Sequence, residues 1–333
     1  MRYKNGPVLV MGDGKLLNGI VMCLLEAGHH VWLWDGDTYL TNALRLHFLK
    51  KNHVPDKVLH SPKLHKIDNL EELKEIELAV AVTSENVGQK REIINIMEKV
   101  LAKDALIGIN SESIPLSHIQ QNSSVPERII GLNWVEPANT TVFLEVISNN
   151  RNGEEEIESL LKLAKENWRK DPYVLKNDKG IRSKLLGALV REAFYLIENE
   201  YVKVEDIDRA CRNDAGYYLP FAGNCRYMDL MGTSVYGTVM ADLNPELSKA
   251  THIPSFFLEI VDKGGKGMEN GKGFYAYSKS EEEKINRLFQ RFSHQIREIM
   301  SNYPFPHPKT ETETPVGKIT GEVNQKSSKD KNR

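Results

Sequence analysis

Two rhythms of apolar and polar positions divide this chain. In the first half, short unbroken apolar runs alternate with stretches of helical period, the pattern of strands buried on both faces with helices between them. Val8–Met11 is the first such run, and Val31–Trp34 the second. Between them Leu17, Ile20, Val21, Leu24 and Leu25 fall on one helical face, with Gly28 where a C-terminal cap belongs. Thr38–Asn52 has helical spacing through Leu40, Leu44 and Phe48, and Asn69–Glu77 reads as a short charged helix. Leu78–Val82 is expected as the third strand and Ala105–Ile109 as the fourth, separated by an amphipathic helix over Asn86–Leu101. Arg128–Trp134 and Phe143–Ile147 continue the strands, Glu154–Lys170 is a charged helix, and Pro172–Leu175 closes the first unit.

From there the rhythm is helical throughout. Ile181–Glu198 is apolar on too wide a face for a helix with one exposed side, which predicts passage through a bundle or a dimer contact. Glu205–Arg212, Asn224–Met231, Pro254–Lys263 and Glu281–Met300 follow, with Gly232 and Gly264 as stops. The glycine-rich stretch over Gly264–Tyr275 reads as a connection packing Phe274 and Tyr275 onto the helices, with phosphate binding as its other reading. Beyond Pro304, prolines, Thr/Glu repeats and a basic end predict a disordered tail. The predicted architecture is therefore α/β: a doubly wound, Rossmann-type sheet over residues 1–177, then an all-helical domain over 178–300, which would carry substrate and dimer contacts, and a tail over 301–333.

The first turn carries the candidate chemistry. Gly12 and Gly14 let the backbone bend sharply and bring bare N–H groups toward a ligand. They stand at a helix N-terminus, where a pyrophosphate fits. Asp35 lies at the end of the second strand, where an acid binds the ribose of NAD rather than NADP. The third glycine of G-x-G-x-x-G is Leu17, with Gly19 two places on, and Leu17 is expected to push the helix outward. Without a nucleotide, the same pattern is a plain βαβ unit.

Composition narrows the function classes. A net charge of −2 gives no sign of a nucleic-acid or membrane partner, and no apolar run approaches a membrane span. The start of the chain leads almost directly into the first strand, so no signal peptide is expected. Cys23, Cys211 and Cys225, widely spaced and odd in number, read as reduced thiols of a cytoplasmic protein. The histidines at 47, 53, 60 and 65 lack metal-ligand spacing and read as surface residues, so no metal site is expected. Glu145, within an apolar strand, calls for a partner or a proton.

This order of elements resembles the L-3-hydroxyacyl-CoA (3-hydroxybutyryl-CoA) dehydrogenase family over roughly residues 7–277. The marks are the opening glycine unit, Gly28-His29-His30-Val31 before Asp35, Ser84-Glu85-Asn86, and Asn110-Ser111-Glu112-Ser113-Ile114 at the family's N-T-S-S-L. Gly131-Leu132-Asn133-Trp134-Val135-Glu136-Pro137-Ala138 stands at its G-x-H-F-F-N-P-x. Leu144–Ile147, Pro220-Phe221, Asp229, Gly232 and Gly273-Phe274-Tyr275 complete the set. The resemblance implies NAD as cofactor, a 3-hydroxy substrate, fatty acid metabolism and a homodimer formed through the helical domain.

It also implies a base. In the family a histidine takes the proton of the substrate hydroxyl, a glutamate orients it, and a serine and an asparagine bind the reacting oxygen. Carried onto this chain, only the glutamate survives, as Glu145; the histidine position is Asn133, the serine is Glu112, the asparagine is Ser183, and the N-P asparagine is Glu136. An amide cannot exchange a proton near neutral pH. The expected activity is thus a divergent NAD-dependent dehydrogenase with Glu112 or Glu136 as base, its pKa lifted by burial and by nearby Glu145. A pseudoenzyme binding NAD or an acyl ligand, retained hydroxyacyl-CoA activity, and a scaffolding protein on the same fold are the other readings. Acids at 112 and 136 are expected to repel an anionic group near the reacting carbon, though not a thioester; Arg182, Lys184 and Arg226 are candidate partners for a carboxylate or phosphate, and a short 3-hydroxy acid, or a polyol bonding to Glu112, Asn133 and Glu136, is the competing substrate.

Overall fold

The computed structural model describes residues 3, 6–12, 14–34, 61–67 and 70–304. Asp35, the predicted helix Thr38–Asn52, His47, His53, His60 and the tail beyond Pro304 lie outside the described residues.

One eight-stranded sheet organises the first half. Its strands are β1 (Val8–Gly12), β2 (Val31–Trp34), β3 (Leu64–Lys66), β4 (Leu78–Val82), β5 (Leu106–Ile109), β6 (Ile129–Asn133), β7 (Phe143–Ile147) and β8 (Asp171–Leu175). Their order is β3-β2-β1-β4-β5-β6-β7-β8, so the chain winds one way from β1 to β3 and the other way from β4 onward. Ligands in such sheets bind where the direction reverses, at the carboxyl ends of β1 and β4. Pairing is parallel except for β6 against β7, where Asn133 lies opposite Glu145.

The helices of this half are α1 (Lys15–Glu26), α2 (Val87–Val100), the short α3 (Leu116–Ile119) and α4 (Glu154–Glu166). α1 packs Leu17, Ile20, Val21 and Leu24 against Val8 and Val10 on one face of the sheet, all of them essentially buried. Each such side chain contributes about 1.5–3 kcal/mol. α2 packs Ile93, Ile94 and Met97 on the other face, against Leu9 and Ile107. Its N-cap is Asn86, whose side chain accepts from the Gln89 amide.

Several expectations shift. Leu64–Lys66, too short and polar to register as a buried run, is an extra edge strand, so Leu78–Val82 is the fourth rather than the third. The 69–77 segment is a 3-10 turn over Leu70–Glu75. Lys170 is not helical; α4 ends at Glu166 and Lys170 turns inward.

The second half comprises α5 (Arg182–Glu198), α6 (Val204–Ala210), α7 (Gly216–Met231), α8 (Thr233–Leu243), α9 (Ser255–Asp262) and α10 (Lys279–Asn302). A π-helical turn over Cys211–Ala215 joins α6 to α7, and Gly223, at φ +63°, kinks α7. Among the described residues of α5 to α9 only Ala222 is buried. Leu185 is 69% exposed and Leu189 54%, so α5 has its apolar face open rather than enclosed within one copy. The glycine-rich connection sets Phe274 on Phe257, ring centroids 5.7 Å apart, and Tyr275 donates to Asp208 at 2.7 Å. α10 returns to the first half. Thr140 and Ser293 hydroxyls meet at 2.8 Å, and Arg297 donates to the Asn139 carbonyl at 3.0 Å.

Candidate active site

The turn between β1 and α1 is open. A β-carbon added at Gly12, which has φ +125°, would lie 1.8 Å from the Val82 carbonyl oxygen, so no side chain fits there. One added at Gly14, at φ +90°, would meet nothing within 4 Å: the turn presents bare backbone to free space. The first turn of α1 has no acidic residue and Gly14 makes no side-chain cap bond, which leaves the helix N-terminus free for an anion. Leu17 does not obstruct it, because its side chain is wholly buried between α1 and the sheet. Rather than the helix being pushed outward, Gly19 takes the close approach: a β-carbon there would stand 2.8 Å from the Ala138 amide nitrogen.

The edges of β4 and β5 are tied together. Glu85 accepts from the amides of Glu112, Ser113 and Ile114 at 3.1, 2.7 and 3.0 Å, and pairs with Lys90 at 3.2 Å. Burial alone would raise the Glu85 carboxyl, but these amides and the ammonium hold it below the usual carboxylate range. Lys90 is fully buried, which lowers its own pKa, and it also donates to the Asn110 carbonyl at 2.7 Å. The Asn110 side chain bonds both ways with Thr83 at 2.9 Å. Neither Glu85 nor Lys90 stood out as a functional candidate in the sequence; the Glu–Lys spacing on entering a helix was the available signal.

Asn133 and Glu145 come together at 3.0 Å on adjacent strands. Asn133 is 1% exposed, accepts from the Ser111 amide and donates to the Ser111 carbonyl, each at 2.7 Å. Its amide is therefore engaged in bracing β6 to the loop after β5. Glu145, fully buried, finds the partners its position demanded: Asn133, the Tyr173 hydroxyl at 2.9 Å and the Ile181 amide at 2.9 Å. The chain passes so near that a β-carbon at Gly180 would lie 2.3 Å from Glu145 Oε1.

Glu112 forms a second cluster. Arg182 Nη1 donates to it at 3.1 Å, and the Ser183 hydroxyl also bonds its carboxylate. Arg182 links the two groups, since its amide donates to Glu145 at 3.3 Å. The guanidinium balances the Glu112 charge, so the repulsion of anions expected there is not that of a bare carboxylate.

Glu136 stands apart from both clusters, just after β6 and before a cis bond to Pro137. Its Oε2 is buried and has no hydrogen-bond partner among the described residues. Burial lifts its pKa from 4.5 to about 7, with Lys15 pulling the other way. Of the two causes expected from the sequence, burial is the one that acts; Glu145 makes no contribution. The loop that follows is held by Lys170, whose ammonium donates to the carbonyls of Ala138 and Thr141 and lies 5.2 Å from the Trp134 ring centroid.

Comparison with known proteins gives the family. Residues 7–178 match the model of the 3-hydroxyacyl-CoA dehydrogenase NAD-binding domain, and residues 181–277 that of the family's C-terminal domain. The chain belongs to the 3-hydroxyacyl-CoA dehydrogenase family. NAD is its cofactor, and the open glycine turn fits a dinucleotide's diphosphate. It is an NAD-dependent oxidoreductase of the 3-hydroxyacyl-CoA dehydrogenase type.

One similar protein is 5-formyl-3-hydroxy-2-methylpyridine 4-carboxylate 5-dehydrogenase of Mesorhizobium japonicum, 24% identical over 225 residues, covering 67% of this chain and 73% of that one. Another is the fatty acid oxidation complex subunit alpha of Shewanella halifaxensis, 25% identical over 285 residues; these cover 82% of this chain but only 39% of that subunit. Among solved structures, one of a 5-formyl-3-hydroxy-2-methylpyridine 4-carboxylic acid 5-dehydrogenase, described as an NAD+-dependent dismutase, shares the fold. Its TM-score is 0.80 at 21% identity, over 90% of this chain and 99% of that one. Among the described residues no helix is long and apolar enough to cross a membrane, and no cluster of three metal-ligating side chains occurs.

Proposed function

We propose that this chain oxidises a 3-hydroxy substrate, or reduces the 3-oxo form, with Glu136 in the proton-carrying role that a histidine has elsewhere in the family. The observation that carries this reading is the buried, unpartnered Glu136 Oε2 with its pKa lifted to about 7. A carboxyl poised there accepts and returns a proton at neutral pH, as a general base must. NAD, when bound, supplies the two-electron acceptor. Glu136 takes the hydroxyl proton, and Glu85 and Lys90 fix the loop ends that face the cofactor's side of the sheet. Glu112 and Ser183 stand as substrate-binding groups, with Arg182 orienting Glu112. Gly12, Gly14 and Asp35 remain the cofactor-binding set, Asp35 on sequence alone. Asn133 and Glu145 are assigned to positioning rather than proton transfer, since their polar atoms are engaged with each other, Ser111, Tyr173 and Ile181.

The reading of a boundary between nucleotide-binding and helical domains at residues 177/178 is supported by the passage from the last strand, β8, to the helices that begin with α5. The open face of α5 supports a homodimer through the helical domain. The three free cysteines support a reducing, cytoplasmic setting.

The test is NADH titration followed by turnover of 3-hydroxyacyl-CoAs, free 3-hydroxy acids and polyols, read at the reduced-nicotinamide absorbance. Glu136→Gln is expected to keep NADH affinity and lose at least about 100-fold in kcat, as removal of a general base does. Undiminished turnover in that variant, with loss in Glu112→Gln, moves the role to Glu112. A second reading, NAD binding without turnover, is favoured by the engagement of Asn133 and Glu145 in structural bonds; NADH binding with no reaction across the panel selects it.

A further inference from the structure

The last helix begins just past residue 277, where the family match ends, and folds back over the nucleotide-binding half. Thr140–Ser293 and Arg297–Asn139 fasten its middle and end. Its first turn reaches the glycine turn itself: Lys15 Nζ donates to Glu282 Oε1 at 3.1 Å. Lys15 is the first residue of α1, next to Gly14 and its open space. Its charge also acts on Glu136, so it lies between the diphosphate site, the candidate base and the terminal helix.

We propose that Lys15 is a ligand for the cofactor's diphosphate and that Glu282 holds it in the cofactor-free protein, so that the terminal helix sets cofactor affinity by competing for one ammonium. The inference rests on the diphosphate binding at Gly12 and Gly14. Both ends of the pair are partly solvated, the Lys15 side chain being 43% exposed and that of Glu282 21%. An ion pair of that kind is weakly held. A diphosphate offers the ammonium two negative charges beside a helix N-terminus, so exchange favours the ligand. In the free protein the Glu282 carboxylate supplies the negative charge that the first turn of α1 lacks.

Fluorescence titration of the full chain with NADH tests this. Glu282→Gln, by freeing Lys15, is expected to tighten NADH about three- to five-fold, and Lys15→Met to weaken it about five- to ten-fold. In Lys15→Met/Glu282→Gln the affinity is expected to equal that of Lys15→Met alone, because the competition has no object. Lys15→Met should also flatten the dependence of affinity on salt. Glu282→Ala serves as a second variant, and far-ultraviolet circular dichroism confirms that each chain is folded. Unchanged or weaker binding in both Glu282 variants overturns the proposal, as does an undiminished gain from Glu282→Gln in the Lys15→Met background. NADH binding by no chain, the wild type included, overturns the glycine-turn reading along with it.

Discussion

At the residue scale, the candidate base and the Asn133–Glu145 pair differ in what surrounds them. Glu136 has one buried oxygen without a hydrogen bond among the described residues, whereas Asn133 and Glu145 have their polar groups satisfied. The consequence for stability has a definite sign. A carboxyl whose pKa rises on folding, here from 4.5 to about 7, gives a contribution that is full below pH 4.5 and is lost as pH climbs to 7. Glu136→Gln is therefore expected to melt higher than the parent chain at pH 8, by on the order of 2 kcal/mol once screening of a partly exposed group is allowed for, with the gap closing at pH 4.5. Thermal melts across that range check it; a gap independent of pH removes the titration.

At the element scale, the Glu85–Lys90 pair holds the end of β4 and the start of α2 against the loop after β5. Lys90 is wholly buried, so taking away its charge leaves the Glu85 carboxylate with the three loop amides and the Ser113 hydroxyl, and the Asn110 carbonyl without the Lys90 ammonium. Lys90→Met is expected to cost about 3–5 kcal/mol in denaturant unfolding. A loss under about 1 kcal/mol would show that the three loop amides suffice. Because the Glu85 pKa is held low in the folded chain, its contribution persists above the ordinary carboxylate range and fades as pH falls below it.

At the scale of the whole molecule, the two halves are built differently. The sheet has dense apolar layers on both faces, whereas α5 to α9 bury only Ala222 within one copy. An apolar surface of that kind is energetically costly in water and marks an interaction face. Sedimentation at micromolar concentration is expected to give twice the 37.9 kDa chain mass, and Leu185→Glu/Leu189→Glu to give the monomer. A wild-type chain sedimenting at 37.9 kDa would remove the dimer.

The sheet and its flanking helices were legible in the chain because burial on both faces leaves continuous runs such as Val8–Met11 and Leu78–Val82, and packing on one face leaves period 3.6. The edge strand Leu64–Lys66 escaped because an edge needs no apolar run. The family likeness was also present in the sequence, being a matter of order and identity. The tertiary structure decided what surrounds each of the candidate residues. Sequence places Glu112, Asn133, Glu136 and Glu145 in one neighbourhood, but which carboxyl meets a guanidinium, which an amide and which keeps a buried oxygen without a hydrogen bond among the described residues depends on β6 pairing antiparallel with β7 and on the entry of α5 beside Glu145. Contact between Lys15 and Glu282, 267 residues apart, was still less accessible. Local period and residue type are properties of adjacent positions; desolvation and long-range ion pairing arise only when distant segments share a volume.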